Sequence, residues 1–413
     1  MPNFKDKMGT GMDQAIAVRM PGDEFEHTGL VALFAVAGTL QFSIAAAQTL
    51  LTIALICWAA LLIVRRERVD VPPFFWPLLA YAGATVVSAL FSADPRTSFI
   101  DCKQLALFLL VPLTYRFASG RHGGTLMTVV VSCAAVSAAL GIFQYGILHY
   151  DQLNQRPQGT LGHYMTYSGL LMIVIAIALA RILFANYGRT WAALVMPALA
   201  VAVTLTLTRN AWVGVCAAAA VLFSLKDFRL FAVLPIVAAV AVALAPALVT
   251  KRVASLFDMN DATTRDRVAM LHVGERMIQS HPLTGVGPNM VERLYPTYRG
   301  PDAVKPVNPH LHNVPLQIAA ERGLPALAIW IWFVVALVGD LWKRFAVGGQ
   351  MQFLAAAALA TVAALLTAGM FEYNFGDSEV LMLFLILVTL PAAAQRRSDV
   401  ARSLQGRESF VEG

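Results

Sequence analysis

Charged residues are scarce in this sequence. Lys, Arg, Asp and Glu together make up 14% of its 413 residues, whereas a soluble domain carries about 25%. So few charges cannot cover a surface that faces water. Hydrophobic residues make up 58% and form runs close to the ~20 residues that a helix needs to cross a bilayer. The composition therefore predicts an all-α polytopic membrane protein.

Cysteines and carboxylates are also scarce, and each scarcity argues against certain classes of function. The four cysteines stand far apart and none belongs to a CxxC pair, which argues against a metal centre or a disulfide framework. Carboxylates are nearly absent from the apolar runs: Asp340 lies at the end of one, and Glu372, Asp377 and Glu379 lie in a turn between two others. Because ion-coupled transporters rely on carboxylates inside the membrane, this scarcity argues against that class.

The apolar runs predict about twelve membrane spans. Turns rich in Lys and Arg alternate with poor ones along the chain, and the rich turns of membrane proteins face the cytoplasm. Both termini are therefore expected in the cytoplasm, and the net charge of +6 is explained without nucleic-acid binding. The predicted spans are residues 30–64 (two spans), 74–91, 105–115, 126–148, 164–184, 191–207, 211–225, 228–249, 324–342, 353–371 and 380–394.

This topology divides the chain into parts. The largest external part is a loop, in which helix caps and prolines predict three helices. The first runs from about residue 263 to 280, and the second is short, spans 290–295 and ends at Pro296. The third begins at its cap, Asn313, and ends at Gly323. The parts are a cytoplasmic segment without signal-peptide layout (1–27), spans one to nine (28–249), the external loop (250–322), spans ten to twelve (323–395) and a cytoplasmic tail (396–413).

The polar stretch 308–324 joins this loop to the tenth span, and we expect the chemistry there. His312 lies at the predicted helix start beside Asn313, which could fix its tautomer, and a neutral imidazole accepts protons near neutral pH. An interfacial histidine without a role fits the same pattern. His310 is expected to point elsewhere once the helix begins. No metal is expected, because zinc needs a third ligand and no carboxylate is placed beside the pair.

Arginines predict an anionic partner on the same face. Arg209 stands between two apolar runs, where a charged side chain either faces a polar cavity or an anion, or snorkels to the interface. Arg265 and Arg267 open the first loop helix, as phosphate ligands or as a solvated helix face. A base beside arginines suits transfer from a lipid-borne phosphate or pyrophosphate to an acceptor hydroxyl. Other outer turns add positive charge through Arg96, Lys103 and Arg156.

Three segments, in this order, resemble the bacterial O-antigen ligase and polymerase superfamily of the Wzy/WaaL type. Residues 312–324 read His-Asn, nine residues, then Gly-Leu, which is similar to its signature. Residues 206–212 are similar to its Thr-x-Ser-Arg-Gly-Ala-Trp span end, with Thr208 and Asn210 replacing Ser and Gly. Residues 267–287 are similar to its segment of an arginine, a helix and Pro-Leu-x-Gly-x-Gly.

The resemblance implies a metal-independent, inverting glycosyltransferase of GT-C-like architecture without a cofactor, in the bacterial inner membrane. The donor would be polysaccharide on undecaprenyl pyrophosphate, and the acceptor a sugar hydroxyl of lipid A–core at the periplasmic face. His312 would be the general base, and Arg209 with Arg265 or Arg267, since either fits the motif, would hold the pyrophosphate. The expected substrate contacts are His310, Asn313, Lys103, Arg96 and Arg156.

Several alternatives share part of this pattern. A polymerase of the same superfamily would differ in its acceptor, and a protein O-oligosaccharyltransferase would use the same donor. A polysaccharide or lipid transporter would perform no chemistry. One dominant loop late in the chain resembles the ligase branch most, and the sequence makes no prediction of oligomeric state.

Overall fold

The computed structural model of the protein describes residues 21–235, 239, 249–250, 262–301 and 303–411. In these residues every regular element is helical, and the predicted all-α polytopic membrane fold is confirmed. The α-helices are α1 (Asp23–Thr39), α2 (Ile44–Val64), α3 (Phe75–Leu90), α4 (Pro95–Asp101), α5 (Leu110–Phe117), α6 (His122–Gly146), α7 (Tyr164–Phe184), α8 (Arg189–Leu205), α9 (Arg209–Lys226), α10 (Ala262–Ser280), α11 (Val291–Tyr298), α12 (Val314–Phe345), α13 (Gly349–Ala368) and α14 (Ser378–Val411).

The helices coincide with the predicted spans. Seven stretches are long and apolar enough to cross a membrane, namely α2, Pro95–Phe117, α6, α7, α12, α13 and Ser378–Arg396. Pro95–Phe117 includes a 3-10 segment, Cys102–Leu109, between α4 and α5. Most of the predicted span 228–249 lies outside the described residues. The number of membrane crossings therefore stays a prediction.

Burial separates central from peripheral helices. Most of α7, α13 and the apolar part of α14 is buried inside the bundle, whereas α2 is mostly exposed despite being equally apolar. A helix that is apolar on all sides fits either protein or lipid surroundings. The exposed faces of α2 and α12 therefore suit contact with lipid.

The external loop has a small hydrophobic core of its own. Met270, Val273 and Met277 of α10 pack with Tyr295 of α11 in a cluster separate from the main one. The helix α10 ends before Pro282, as predicted. By contrast, α11 does not end at Pro296 but continues to Tyr298, because the fixed φ of proline is itself helical and only one hydrogen bond is lost.

A glycine-rich turn braces the entry of α12 into the bundle. Gly285 and Gly287 have positive φ angles of 67° and 108°. The Val286 amide donates to Ala320 O, and the Gly287 amide donates to Glu321 O, both at 2.9 Å. Because these two amides already have partners, the turn is structural and does not cradle a phosphate.

The joint itself is Gly323, where α12 has non-helical angles of φ 82° and ψ 167°. The amide of Leu324 donates to Pro282 O at 2.8 Å, which ties the joint to the turn. A Cβ atom on Gly323 would lie 2.3 Å from Leu283 O. The joint requires glycine for both its φ angle and its space.

Replacing Gly323 with alanine is therefore expected to destabilise the protein by about 1–3 kcal/mol. Thermal unfolding in detergent, followed by tryptophan fluorescence, should show a lower midpoint than wild type. Gly339→Ala is the matched control, because it lies on the same helix and a Cβ there meets nothing within 4 Å. Equal midpoints for the two variants would contradict the strained joint.

Candidate active site

Two loop histidines meet one carboxylate. His312 Nδ1 lies 2.9 Å from Glu372 Oε2, and His310 Nε2 lies 3.1 Å from Glu372 Oε1. The two imidazole centroids are 4.4 Å apart. His312 has a positive φ of 48°, which turns the chain so that both rings face the turn between α13 and α14. The expectation that His310 points away from His312 is therefore wrong.

The protonation of Glu372 fixes the roles of the ring nitrogens. Its side chain is buried, and burial by itself raises the pKa of this carboxyl. Hydrogen bonds from His310 and His312 and their positive charge outweigh burial, so the pKa of Glu372 lies below its ordinary value. An ionised carboxylate only accepts hydrogen bonds. His312 therefore donates through Nδ1, so the neutral form of the ring carries its lone pair on Nε2, the atom that can accept a proton.

Asn313 has a structural role. Its Oδ1 accepts from the Leu316 amide at 2.9 Å, and its Nδ2 donates to Met370 O at 3.1 Å. The prediction that it caps the helix is confirmed. The idea that it orients the His312 tautomer is wrong, because Glu372 makes that contact. With both ends of the amide bonded inside the protein, Asn313 is also poorly placed to bind substrate.

The same three side chains could hold a metal ion. His310, His312 and Glu372 offer three ligand atoms that lie within 4.8 Å of one another, and imidazole and carboxylate are ligand types of zinc. The sequence argument found no carboxylate for the histidines because Glu372 is 60 residues away from His312 along the chain. A metal would replace the two hydrogen bonds of Glu372.

A basic cavity of about 210 Å³ adjoins His312. Among the residues that the structure describes, its walls include four cations and one carboxylate, Asp266. Asp266 Oδ2 lies 3.3 Å from Lys305 Nζ. Such a cavity favours an anion beside a base. The four cations are Arg156, Arg209, Arg267 and Lys305.

The start of α9 adds to this positive potential. Thr208, Arg209 and Asn210 all line the cavity, so the N-terminal end of an 18-residue helix faces it. Thr208 makes no side-chain cap to this helix, and helix N-termini favour anions. Burial and the nearby charge of Arg209 lower the pKa of Arg156, although Tyr164 opposes them. Guanidinium groups held this close indicate a site for an anion.

The structure distinguishes between the two candidate loop arginines. Arg267 lines the basic cavity, and its Nη2 donates to Phe371 O at 3.0 Å. Arg265 is exposed and is not among the residues that line the cavity. Residues two apart on a helix point to different sides, so only one of them can face the site.

The other predicted cations divide in the same way. Arg156 lines the basic cavity, whereas Arg96 and Lys103 are exposed and line neither this cavity nor the one described next. Sequence reasoning missed Lys305 and Glu372. Lys305 lies in a segment without periodicity, and Glu372 lies in a turn that was considered only as evidence about transport. No local pattern marks either residue.

A second cavity of about 180 Å³ adjoins the other histidine. It differs from the basic cavity in having two carboxylates and no Lys or Arg among its described lining residues. Asn210 and Met165 border both cavities. The described polar side chains that line it are His163, Asn210, His310, Glu372, Tyr373, Asn374 and Asp377.

Comparison with known families now bears on this site. Residues 194–331 match a family model (Wzy_C) described as O-antigen ligase. This segment, about a third of the chain, is similar to the O-antigen ligase family. This match supports membership of the Wzy/WaaL O-antigen ligase superfamily, as the sequence resemblance implied. No curated protein matches the chain. The matched segment contains Arg209, Arg267 and both histidines, whereas Arg156 and Glu372 lie outside it in flanking turns.

Proposed function

We propose that this protein is an O-antigen ligase of the bacterial inner membrane. It transfers O-antigen polysaccharide from undecaprenyl pyrophosphate to a sugar hydroxyl of lipid A–core at the periplasmic face. Members of the matched family are glycosyltransferase-like membrane enzymes that act on lipid-linked sugars. The observation that carries the proposal is the position of His312, which lines the basic cavity and whose ring is held by a buried carboxylate.

The reaction uses the site in one step. The arginines bind the pyrophosphate of the donor and stabilise the charge that develops on the leaving oxygen. The acceptor hydroxyl attacks the anomeric carbon from the opposite face, and His312 Nε2 takes its proton. A new glycosidic bond forms, the bond to pyrophosphate breaks, and the configuration inverts. Undecaprenyl pyrophosphate leaves, while Glu372 stabilises the imidazolium.

Acceptor specificity tests the function directly. Purified, reconstituted protein would receive undecaprenyl-pyrophosphate-linked polysaccharide with lipid A–core, shorter lipid-linked repeats or an acceptor protein. Transfer to lipid A–core is the expected result. Transfer only to lipid-linked repeats would indicate a polymerase, and transfer only to protein a protein O-oligosaccharyltransferase. Absence of transfer to all three would favour a transporter.

The reaction is expected to need no metal, because cations of the protein supply the charge stabilisation. Transfer should be unchanged after treatment with EDTA. Added Zn²⁺ should inhibit, because it would bind His310, His312 and Glu372 and displace the hydrogen bonds that orient the base. Loss of transfer in EDTA, with recovery on adding Zn²⁺, would show that these three residues are metal ligands.

Arg267 and Arg265 provide a matched pair on one helix. We expect Arg267→Ala to lower the transfer rate at least ~10-fold, because it removes a charged contact to the leaving group. Arg265→Ala should stay within about twofold of wild type, as exposed side chains outside the site usually do. Initial rates at saturating acceptor measure both. A large loss for Arg265→Ala alone would reverse the assignment.

A further inference from the structure

The two cavities beside the histidine pair differ in charge. In the described part of the chain, the basic cavity is lined by four Lys and Arg side chains and one carboxylate, whereas the second cavity is lined by two carboxylates and by neither Lys nor Arg. A phosphate would be attracted to the first and repelled by the second. The second cavity therefore suits a ligand without phosphate.

Asn374 shows what kind of group this ligand offers. Its side chain is 6% exposed and lines the second cavity. Its Oδ1 atom is buried and has no hydrogen-bond partner among the described residues. A buried acceptor without a partner is costly, and such atoms are normally satisfied by a donor. A ligand that donates a hydrogen bond, such as a hydroxyl, would satisfy it after a rotation of the side-chain amide toward the cavity.

The remaining walls fit a sugar ring. Asp377 accepts from Thr166 Oγ1 at 2.5 Å and from the Val380 amide at 3.1 Å, so its charge is held in place. Apolar atoms come from Met172 and Val380. The volume of about 180 Å³ is far above the ~15 Å³ that a single water needs. Hydrogen-bond acceptors beside apolar walls match the hydroxyls and the C–H face of a carbohydrate.

We infer that the second cavity binds the acceptor as an uncharged, hydroxyl-rich sugar ring that donates hydrogen bonds to Asn374. This inference rests on the proposed function and adds the location and charge of the acceptor subsite. Asn210 and Met165 border both cavities, and the histidine pair spans them, with His310 in one wall and His312 in the other. The acceptor hydroxyl meets the donor at this junction. The charge of each cavity selects its substrate, the phosphorylated donor for the basic cavity and the uncharged acceptor for the second.

Binding is tested with a matched pair of disaccharides of the outer core, one uncharged and one phosphorylated on the terminal ring. Saturation-transfer NMR on the purified full-length protein reports their dissociation constants without requiring turnover. Wild type should bind the uncharged disaccharide at least ~10-fold more tightly than the phosphorylated one. Asn374→Ala should weaken binding of the uncharged probe roughly 3- to 10-fold, the effect of one lost hydrogen bond.

A second variant isolates the charge. Asp377→Asn keeps one oxygen to accept from the Val380 amide, and its Nδ2 can donate to Thr166 Oγ1, so the variant removes the negative charge with little change in shape. It should reduce the preference against the phosphorylated probe to about threefold. Asn154→Ala, at an exposed asparagine of an outer turn, should match wild type. Asp377→Asn also serves as a control for misfolding, because it is expected to retain binding of the uncharged probe.

The outcomes distinguish the subsite from the proposed function. Suppose that the protein performs no transfer but binds the uncharged probe, and that Asn374→Ala weakens this binding. That result would support the subsite and reject the ligase function. In another outcome, wild type transfers to lipid A–core, while Asn374→Ala raises the KM of the donor and leaves the KM of the acceptor unchanged. That result would support the ligase function and overturn the subsite. Equal binding of both probes to wild type, or no binding of either, would also overturn it.

Discussion

Replacing His312 with alanine is expected to lower the rate of polysaccharide transfer by roughly 10²- to 10⁴-fold, the usual cost of losing a general base. The expectation follows from geometry: Glu372 fixes Nδ1 of this ring at 2.9 Å, and the ring lines the cavity that holds the cations. Initial rates with lipid A–core and lipid-linked polysaccharide, on reconstituted protein, measure the loss.

His281→Ala is the control for this variant. His281 lies in the same loop, is exposed, and contacts its neighbour Ser280 at 2.9 Å, so its loss should leave transfer near wild type. His310→Ala should have a smaller effect than His312→Ala, because Glu372 still orients the base. Transfer by His312→Ala above about a tenth of wild type would remove His312 as the base.

Replacing Arg209 with alanine is expected to reduce transfer by roughly 10²- to 10³-fold, comparable to losing a donor that stabilises a developing anion. Arg209 is 6% exposed and lies where the N-terminus of α9 faces the basic cavity. Arg209→Lys should recover only part of the rate, since an ammonium group cannot make the bidentate contacts of a guanidinium. Both kcat and the donor KM should change.

Arg96→Ala provides the comparison. Arg96, like Arg209, was predicted to lie on the outer side, but it is exposed and lines neither cavity. Its replacement should change transfer by less than about twofold. Size-exclusion chromatography of each variant checks that the protein is folded, so that a lower transfer rate reflects lost catalysis and not misfolding. An Arg209→Ala protein with wild-type donor KM and rate would show that Arg209 only snorkels to the interface.

Features local in the sequence were predicted well. Runs of apolar residues indicated the helices, because a bilayer-crossing helix leaves its length and composition in consecutive residues. Asn313 was identified as a helix cap and Gly323 as a helix end, because caps depend on nearby backbone groups. Arg209 was singled out because a charge between apolar runs is costly wherever the chain folds.

Contacts between distant turns were not predicted. Glu372 accepts hydrogen bonds from residues about sixty positions earlier, and nothing in its own turn marks it as their partner. The choice of Arg267 over Arg265 depends on the rotation of α10 against α12, which their positions on one helix do not fix. His310 was misjudged because the positive φ of His312 is a property of the folded loop.

The sequence by itself determined an all-helical membrane protein, a superfamily resemblance that the match over residues 194–331 supports, and the stretch 308–324 as the place to look for chemistry. Only the tertiary structure decided that Glu372 holds both histidines and that Arg156 and Lys305 join Arg209. It also separated a basic cavity from an acidic one. The physical reason is that composition and capping act over a few neighbouring residues, whereas a charged site forms only where turns between different helices meet.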